Sequence, residues 1–232
     1  MKVKTTRKIK RRIGGSINEP KVLIVISSKS PNSILHGCLD SLLKVQIKNS
    51  PNYRVCVVDS DSDNMDVYDK IKGDFPQVEV HFIKNKNYEY GAWKFANDTY
   101  PNYDIYFCIQ DSIVIKKKVP LSIVNDKNAY IFFHKSGYIL NMGVKNIGKA
   151  NMNIAGIKYN NIINSPFSIA QHCSFIVHNN VMKDIFKTLV SPPKNKRGSR
   201  SYERVFGIYF IKKNIVTHDI QEYFTKTSVG RT

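Results

Sequence analysis

Three apolar runs in the first half of the chain each end in side chains that can hold a polar ligand. Ser27 and Ser28 follow the run Lys21 to Ile26. Asp59-Ser60-Asp61-Ser62-Asp63 closes the run Tyr53 to Val58, and Gln110-Asp111-Ser112 closes Tyr106 to Ile109. A carboxylate at the second position suits hydrogen bonding to a base or ribose, and one at the third suits a divalent ion (Mn or Mg) bridging a diphosphate. Acidic residues after strands are also ordinary turn and cap residues. Any one of the three ends alone is weak; three in register favour the joint reading, because the carboxyl ends of parallel strands lie along one edge of a sheet and converge on one ligand.

The elements that would position these ends are legible around them. Val78, Val80 and Phe82 alternate with polar neighbours as a half-buried strand does. Asn85, Asn87 and Gly91 supply turn chemistry before a helical run that places Ala92, Phe95 and Ala96 on one face. Pro31-Asn32-Ser33 starts a helix carrying Ile34, Leu35, Cys38, Leu39, Leu42 and Leu43, and a shorter helix over 64–72 ends near Gly73. This strand–helix alternation predicts parallel strands with helices on both faces.

Beyond Pro120 the pattern changes. Strands are expected over 129–134, 169–178 and 215–218, and helices from Asn179 or Asn180 through Leu189 and over 202–212. A basic loop spans 192–200, and the segment to about 164 has no clear structure. The expected fold class is α/β: a Rossmann-type single domain with a mostly parallel central sheet and a mixed α/β second half. Residues 1–19 form an expected disordered basic arm, 20–118 a nucleotide-binding half and 119–232 a mixed second half.

The 232 residues carry a formal net charge of +18. Such an excess attracts polyanions: nucleic acid, anionic membrane surfaces or phosphorylated small molecules. Part of it lies in seven basic residues from Lys2 to Arg12, and part in Lys194, Lys196, Arg197 and Arg200. The basic arm is thus a candidate for peripheral membrane or polyanion contact. No apolar run reaches the ~18 residues of a transmembrane helix. Four cysteines, Cys38, Cys56, Cys108 and Cys173, sit among apolar neighbours without paired spacing, which predicts buried, reduced thiols and a cytoplasmic protein.

The strings KVLIVISS, YRVCVVDSDSD, NYEYGAW and FCIQDS together resemble the donor half of GT-A-fold glycosyltransferases of the family-2-like kind. The segment Asn87 to Trp93, followed by Gln110-Asp111-Ser112, is similar to rhamnan-synthesis F-type transferases, which show an N-x-G-x-D-x-G-A-W-like segment and then an acidic tip. The likeness covers about residues 20–115 and is loose beyond. It implies a nucleotide-diphosphate sugar donor, carrying rhamnose or another hexose, and a glycan or glycoprotein acceptor. Ser27, Ser28, Asp59, Asp61, Tyr90, Gly91, Gln110, Asp111, Ser112 and Arg204 would bind the donor, with Tyr88 and Tyr90 reaching it from a loop. Trp93 reads as core or pocket wall, and His172 and Cys173 as lining of the acceptor side.

The tip departs from the family pattern, having Gln at 110 and Ser at 112, so Asp111 is its sole carboxylate. A metal would then need help, for which the resemblance suggests His218. Without a metal, Lys194, Arg197, Arg200 or Arg204 would neutralise the leaving diphosphate. Glu203 fits the acidic helix-start motif beneath the acceptor and would be the base of an inverting transfer; it also suits a plain first-turn helix residue. Two rival readings are a nucleotidyltransferase, for which Ser27 to Pro31 is a poor glycine-rich loop, and a non-catalytic polyanion-binding module.

Overall fold

The run Val22-Leu23-Ile24-Val25-Ile26 cannot be half-exposed without leaving apolar side chains in water, and it forms the buried centre of the sheet. The computed structural model describes residues 19–31, 33–63, 65–132, 142–158 and 167–227. The basic arm before residue 19 and residues 133–134 of an expected strand lie outside the described residues. In chain order the elements are β1 (Val22–Ser28), α1 (Ser33–Ser41), β2 (Tyr53–Asp59), α2 (Asp66–Asp74), β3 (Val78–Phe82), α3 (Tyr88–Thr99), β4 (Ile105–Gln110) and β5 (Ile113–Ile115). There follow β6 (Asn128–Ile131), α4 (Met142–Ile154), β7 (Phe175–His178), α5 (Asn179–Thr188), α6 (Lys196–Lys212), β8 (Val216–Asp219) and β9 (Phe224–Lys226).

Seven strands form one sheet in the order β3-β2-β1-β4-β7-β6-β8, while β5 and β9 pair separately. β3, β2, β1 and β4 are mutually parallel. β7 runs antiparallel to both β4 and β6, and β8 runs parallel to β6. The sheet is therefore mostly parallel, as expected, with β7 reversed. The register sets Ser27 beside Gln110 and Ser28 beside Asp59, so the three polar strand ends meet at one edge.

Alternation along the strands divides the core between two faces. Leu23, Val25, Cys56, Val58, Tyr106 and Cys108 pack with Trp93 and Ala96 of α3, Ile185 of α5 and Phe206 of α6. Ile24, Ile26, Val57 and Phe107 pack with Leu35 and Leu39 of α1 and Ile71 of α2. All four cysteines are free and buried. No helix among the described residues is long and apolar enough to cross a membrane.

Several boundaries differ from those expected. α3 begins at Tyr88, so Gly91 lies in its first turn rather than in a loop. A Cβ at Gly91 would stand 2.6 Å from Asn85 Oδ1; the glycine lets the Asn85–Asn87 turn fold tightly against the helix. α6 likewise starts early: Asn195 caps it by accepting from the Gly198 amide at 2.9 Å. Lys196, Arg197 and Arg200 of the basic stretch thus lie in its first two turns rather than in a loop, Lys194 precedes the cap, and Glu203 falls beyond the first turn where it was expected. The expected strand over 169–178 shortens to β7, because Gln171–Cys173 form a 3₁₀ turn in which His172 and Cys173 take left-handed φ values of 57° and 51°. α5 is capped by the His178 side chain rather than by Asn179 or Asn180.

Candidate active site at the carboxyl edge of the sheet

The edge is built in two layers, a buried one that locks the strand ends together and a more exposed rim above it. In the buried layer the Asp111 amide donates to the Ser27 carbonyl at 3.1 Å, the Ser60 amide donates to the Ser28 carbonyl at 3.1 Å, and Ser28 Oγ donates to Asp111 Oδ2 at 2.9 Å. Ser27, Ser28, Asp59, Asp111 and Ser112 are all buried.

Asp59 proves to be a loop-forming residue. Its Oδ1 accepts the amides of Asp61 at 3.0 Å and Ser62 at 2.9 Å, while Oδ2 accepts the hydroxyls of Ser62 and Tyr68. With the carboxylate 2% exposed and bonded on both oxygens to its own chain, its visible work is to fold the acidic loop. Beyond it the loop presents two carboxylates, the exposed Asp63 and Asp61, whose side chain is 39% exposed with Oδ2 4.0 Å from Lys86 Nζ. Asp61 holds a φ of 90°, a region costly for any residue with a Cβ and one that clusters at functional sites.

The rim is a chain of polar contacts running from β4 across to α6. Gln110 Nε2 donates to Glu89 Oε1, and Ser199 Oγ donates to Glu89 Oε2 at 2.7 Å. Lys226 Nζ approaches Gln110 Oε1 at 3.3 Å and His172 Nδ1 at 2.9 Å. The His172 amide donates to Glu203 Oε1 at 2.9 Å, and Arg204 Nη1 donates to Glu203 Oε2. Burial, outweighing the pull of Arg204 and the His172 amide, pushes the Glu203 carboxyl up. Burial first and Lys226 second hold the His172 imidazole down to about 4. At neutral pH the ring is therefore uncharged and accepts from the lysine.

The structure thus gathers Ser27, Ser28, Asp61, Gln110, Asp111, Ser112 and Glu203 along one edge, with Arg204 bonded to Glu203 at its α6 end. It separates two others. Tyr90, expected to reach a donor from a loop, is 2% exposed on α3; its hydroxyl donates to the Leu189 carbonyl at 2.5 Å and its ring packs on Phe186 and Tyr202. It pins α3 to the core. Trp93 is likewise core, its indole N–H donating to the Cys173 carbonyl at 3.0 Å. His218, expected to join Asp111 at a metal, lies on β8. That strand is three places from β4 in the sheet, roughly 14 Å at the usual strand spacing. Its Nε2 lies 3.2 Å from Asn128 Oδ1 and its ring packs on Tyr130.

A divalent cation does not fit the residues at the tip. Asp111 supplies the tip's only carboxylate, Gln110 is held by Glu89, His218 is remote, and an ammonium group stands 3.3 Å from Gln110. Among the described residues no group of three His, Cys, Asp or Glu side chains is arranged to hold a metal.

Three rim residues were missed from the sequence: Glu89, Ser199 and Lys226. Glu89 occupies the acidic position of the N-x-G-x-D-x-G-A-W-like segment, a signal that was available. Lys226 lies on a three-residue strand whose pairing partner is more than a hundred residues upstream, and nothing local marks it.

No protein-family model matches the sequence, and no curated protein does either. Among solved structures the chain is similar to GT-A-type glycosyltransferases. The 1–349 portion of TarS from S. aureus aligns at 14% identity over 90% of this chain and 60% of that one, with a TM-score of 0.51. The same portion in complex with UDP gives 13%, 88%, 59% and 0.51. Against a longer TarS structure the identity is 14% and the TM-score 0.51, with 89% of this chain but only 36% of that one covered. The chain therefore spans about a third of TarS, and what the two share is a GT-A-like α/β fold.

Proposed function

We propose that the chain is a glycosyltransferase that moves a sugar from a nucleotide-diphosphate donor to a hydroxyl of a glycan or glycoprotein acceptor. The observation that carries this reading is the meeting of three strand ends with a second set of polar groups at one edge of a GT-A-like sheet. The UDP present in a TarS structure of the same fold supports a nucleotide-diphosphate ligand.

In this reading Asp61 contacts the nucleoside, while Asp59 shapes the loop that presents it. Ser27 and Ser28 form a fixed polar floor under the diphosphate, and Ser28 Oγ holds the Asp111 carboxylate within that floor. Glu203 is the base: burial raises its carboxyl, making the carboxylate a stronger proton acceptor. The acceptor oxygen attacks the anomeric carbon as its proton passes to Glu203, which inverts the configuration.

Turnover of UDP-, GDP- and dTDP-sugars, followed by release of nucleoside diphosphate and by the anomeric configuration of the product, tests this. Glu203→Gln is expected to lower the rate by at least about a hundredfold while leaving donor affinity within about twofold. Full activity in that variant would remove Glu203 from the mechanism, and retention of configuration would remove the inverting step.

A further inference from the structure

β9 is short, yet it is held firmly against the end of β4. The Thr227 amide and hydroxyl both donate to the Ser112 carbonyl, at 2.9 and 3.0 Å, and Lys226 pairs with Ile113 just beyond the tip. Two residues earlier, Phe224 stacks on Phe107 and Phe132 with ring centroids 5.7 and 6.2 Å apart. Residues two apart on a strand share a face, so the anchoring of Phe224 directs Lys226 to the same side. Its ammonium ends 3.3 Å from Gln110 Oε1 and 2.9 Å from His172 Nδ1, one residue from Asp111. The other basic groups near the site are worse placed. Lys194, Lys196, Arg197 and Arg200 are exposed at or just before the start of α6, Lys86 is 75% exposed beside Asp61, and Arg204 is bonded to Glu203 and to the Arg200 carbonyl.

A positive charge fixed at the strand tip belongs where a departing diphosphate gathers negative charge. We propose that Lys226, rather than a divalent cation, neutralises the diphosphate that leaves when the sugar is transferred. The inference rests on the glycosyl-transfer reading above. In the step, the acceptor oxygen bonds to the anomeric carbon, and the bond from that carbon to the phosphate oxygen breaks. Its electron pair stays on the phosphate oxygen, and the acceptor proton goes to Glu203. Lys226 stays protonated throughout and donates a hydrogen bond to the departing diphosphate. His172 accepts from the lysine and orients it.

Calorimetric titration of UDP, GDP and dTDP, with EDTA and then with Mn²⁺, into wild type, Lys226→Met and Lys226→Arg tests the assignment. Lys226 is exposed, so both variants should fold, and their melting temperatures check this. The expected result is that one diphosphate binds in EDTA, unimproved by Mn²⁺. It should bind about tenfold or more weakly to Lys226→Met and recover most of that loss in Lys226→Arg. The matching nucleoside, lacking the phosphates, should bind all three proteins alike. A diphosphate that requires Mn²⁺ and binds Lys226→Met as well as wild type would overturn the role of Lys226 while leaving the transfer reading intact. Failure of every diphosphate to bind wild type under either condition would overturn both.

Discussion

Asp59 and Asp61 stand two residues apart in one acidic loop, and the structure gives them opposite jobs. Replacing Asp59 by Ala removes the acceptor of two backbone amides and two hydroxyls and leaves the Tyr68 hydroxyl without this partner in a buried site. Hydrogen bonds to a charged group contribute about 1.5–3 kcal/mol each, but four on one carboxylate do not add, so a loss of about 3–5 kcal/mol is reasonable. At about 2–4 °C per kcal/mol for a chain of this size, the melting temperature should fall by about 6–20 °C. Asp61→Gly does the reverse. It relieves a φ of 90° and loses one exposed carboxylate whose cation neighbour is 4.0 Å away. Its stability should be unchanged or higher by up to about 1 kcal/mol, while nucleotide binding weakens. Paired thermal melts with and without nucleotide read both quantities in one assay. An Asp59→Ala protein that melts like wild type yet no longer binds nucleotide would refute the division of labour and make Asp59 a ligand contact.

Other consequences are as direct. A Cβ at Gly207 would lie 2.1 Å from the Ser168 carbonyl oxygen, so Gly207→Ala must push α6 away from the segment leading to His172. Overpacking costs about 1–3 kcal/mol against about 1 kcal/mol of helix propensity gained; the melt should fall by a few degrees and turnover should drop. Gly37, with open space around it in α1, is the control: Gly37→Ala should stabilise by about 0.4–1 kcal/mol. His172 titrates near 4 when folded and at its ordinary 6.5 when unfolded, so between those values the unfolded chain binds more protons. Its contribution is complete above about pH 6.5 and is lost as the pH falls towards 4. The raised Glu203 carboxyl acts with the opposite sign. Wild type should therefore lose more melting temperature from pH 7 to pH 5 than His172→Gln does, and equal losses would contradict the neutral ring.

The first-half sheet was legible because its signals are local. The runs ending at Ser28, Val58 and Ile109 are apolar enough to be buried on both faces, and their polar ends follow from strand direction alone. The roles of the two aspartates were not legible, since they depend on a loop that turns back to bond its own amides. Gly91 was misplaced because Tyr88, at a φ of 55°, opens the helix without a capping side chain. α4 escaped notice because its glycines and asparagines obscure a helical pattern. The resemblance points to His218, whereas the non-local pairing of β8 with β6 sets it on an edge strand three places from β4. For the same reason the approach of Lys226 to Gln110 was invisible before the fold was known.

A nucleoside diphosphate is expected to bind at the shared edge of β1, β2 and β4. Thermal-shift titration of the wild-type chain with UDP, GDP, dTDP and CMP tests it most directly. A ligand at about a hundred times its dissociation constant stabilises by about 2.7 kcal/mol, or about 5–11 °C here. The account predicts a shift of that size with one nucleoside diphosphate, greatly reduced in Asp61→Ala. No shift with any of the four nucleotides would contradict it.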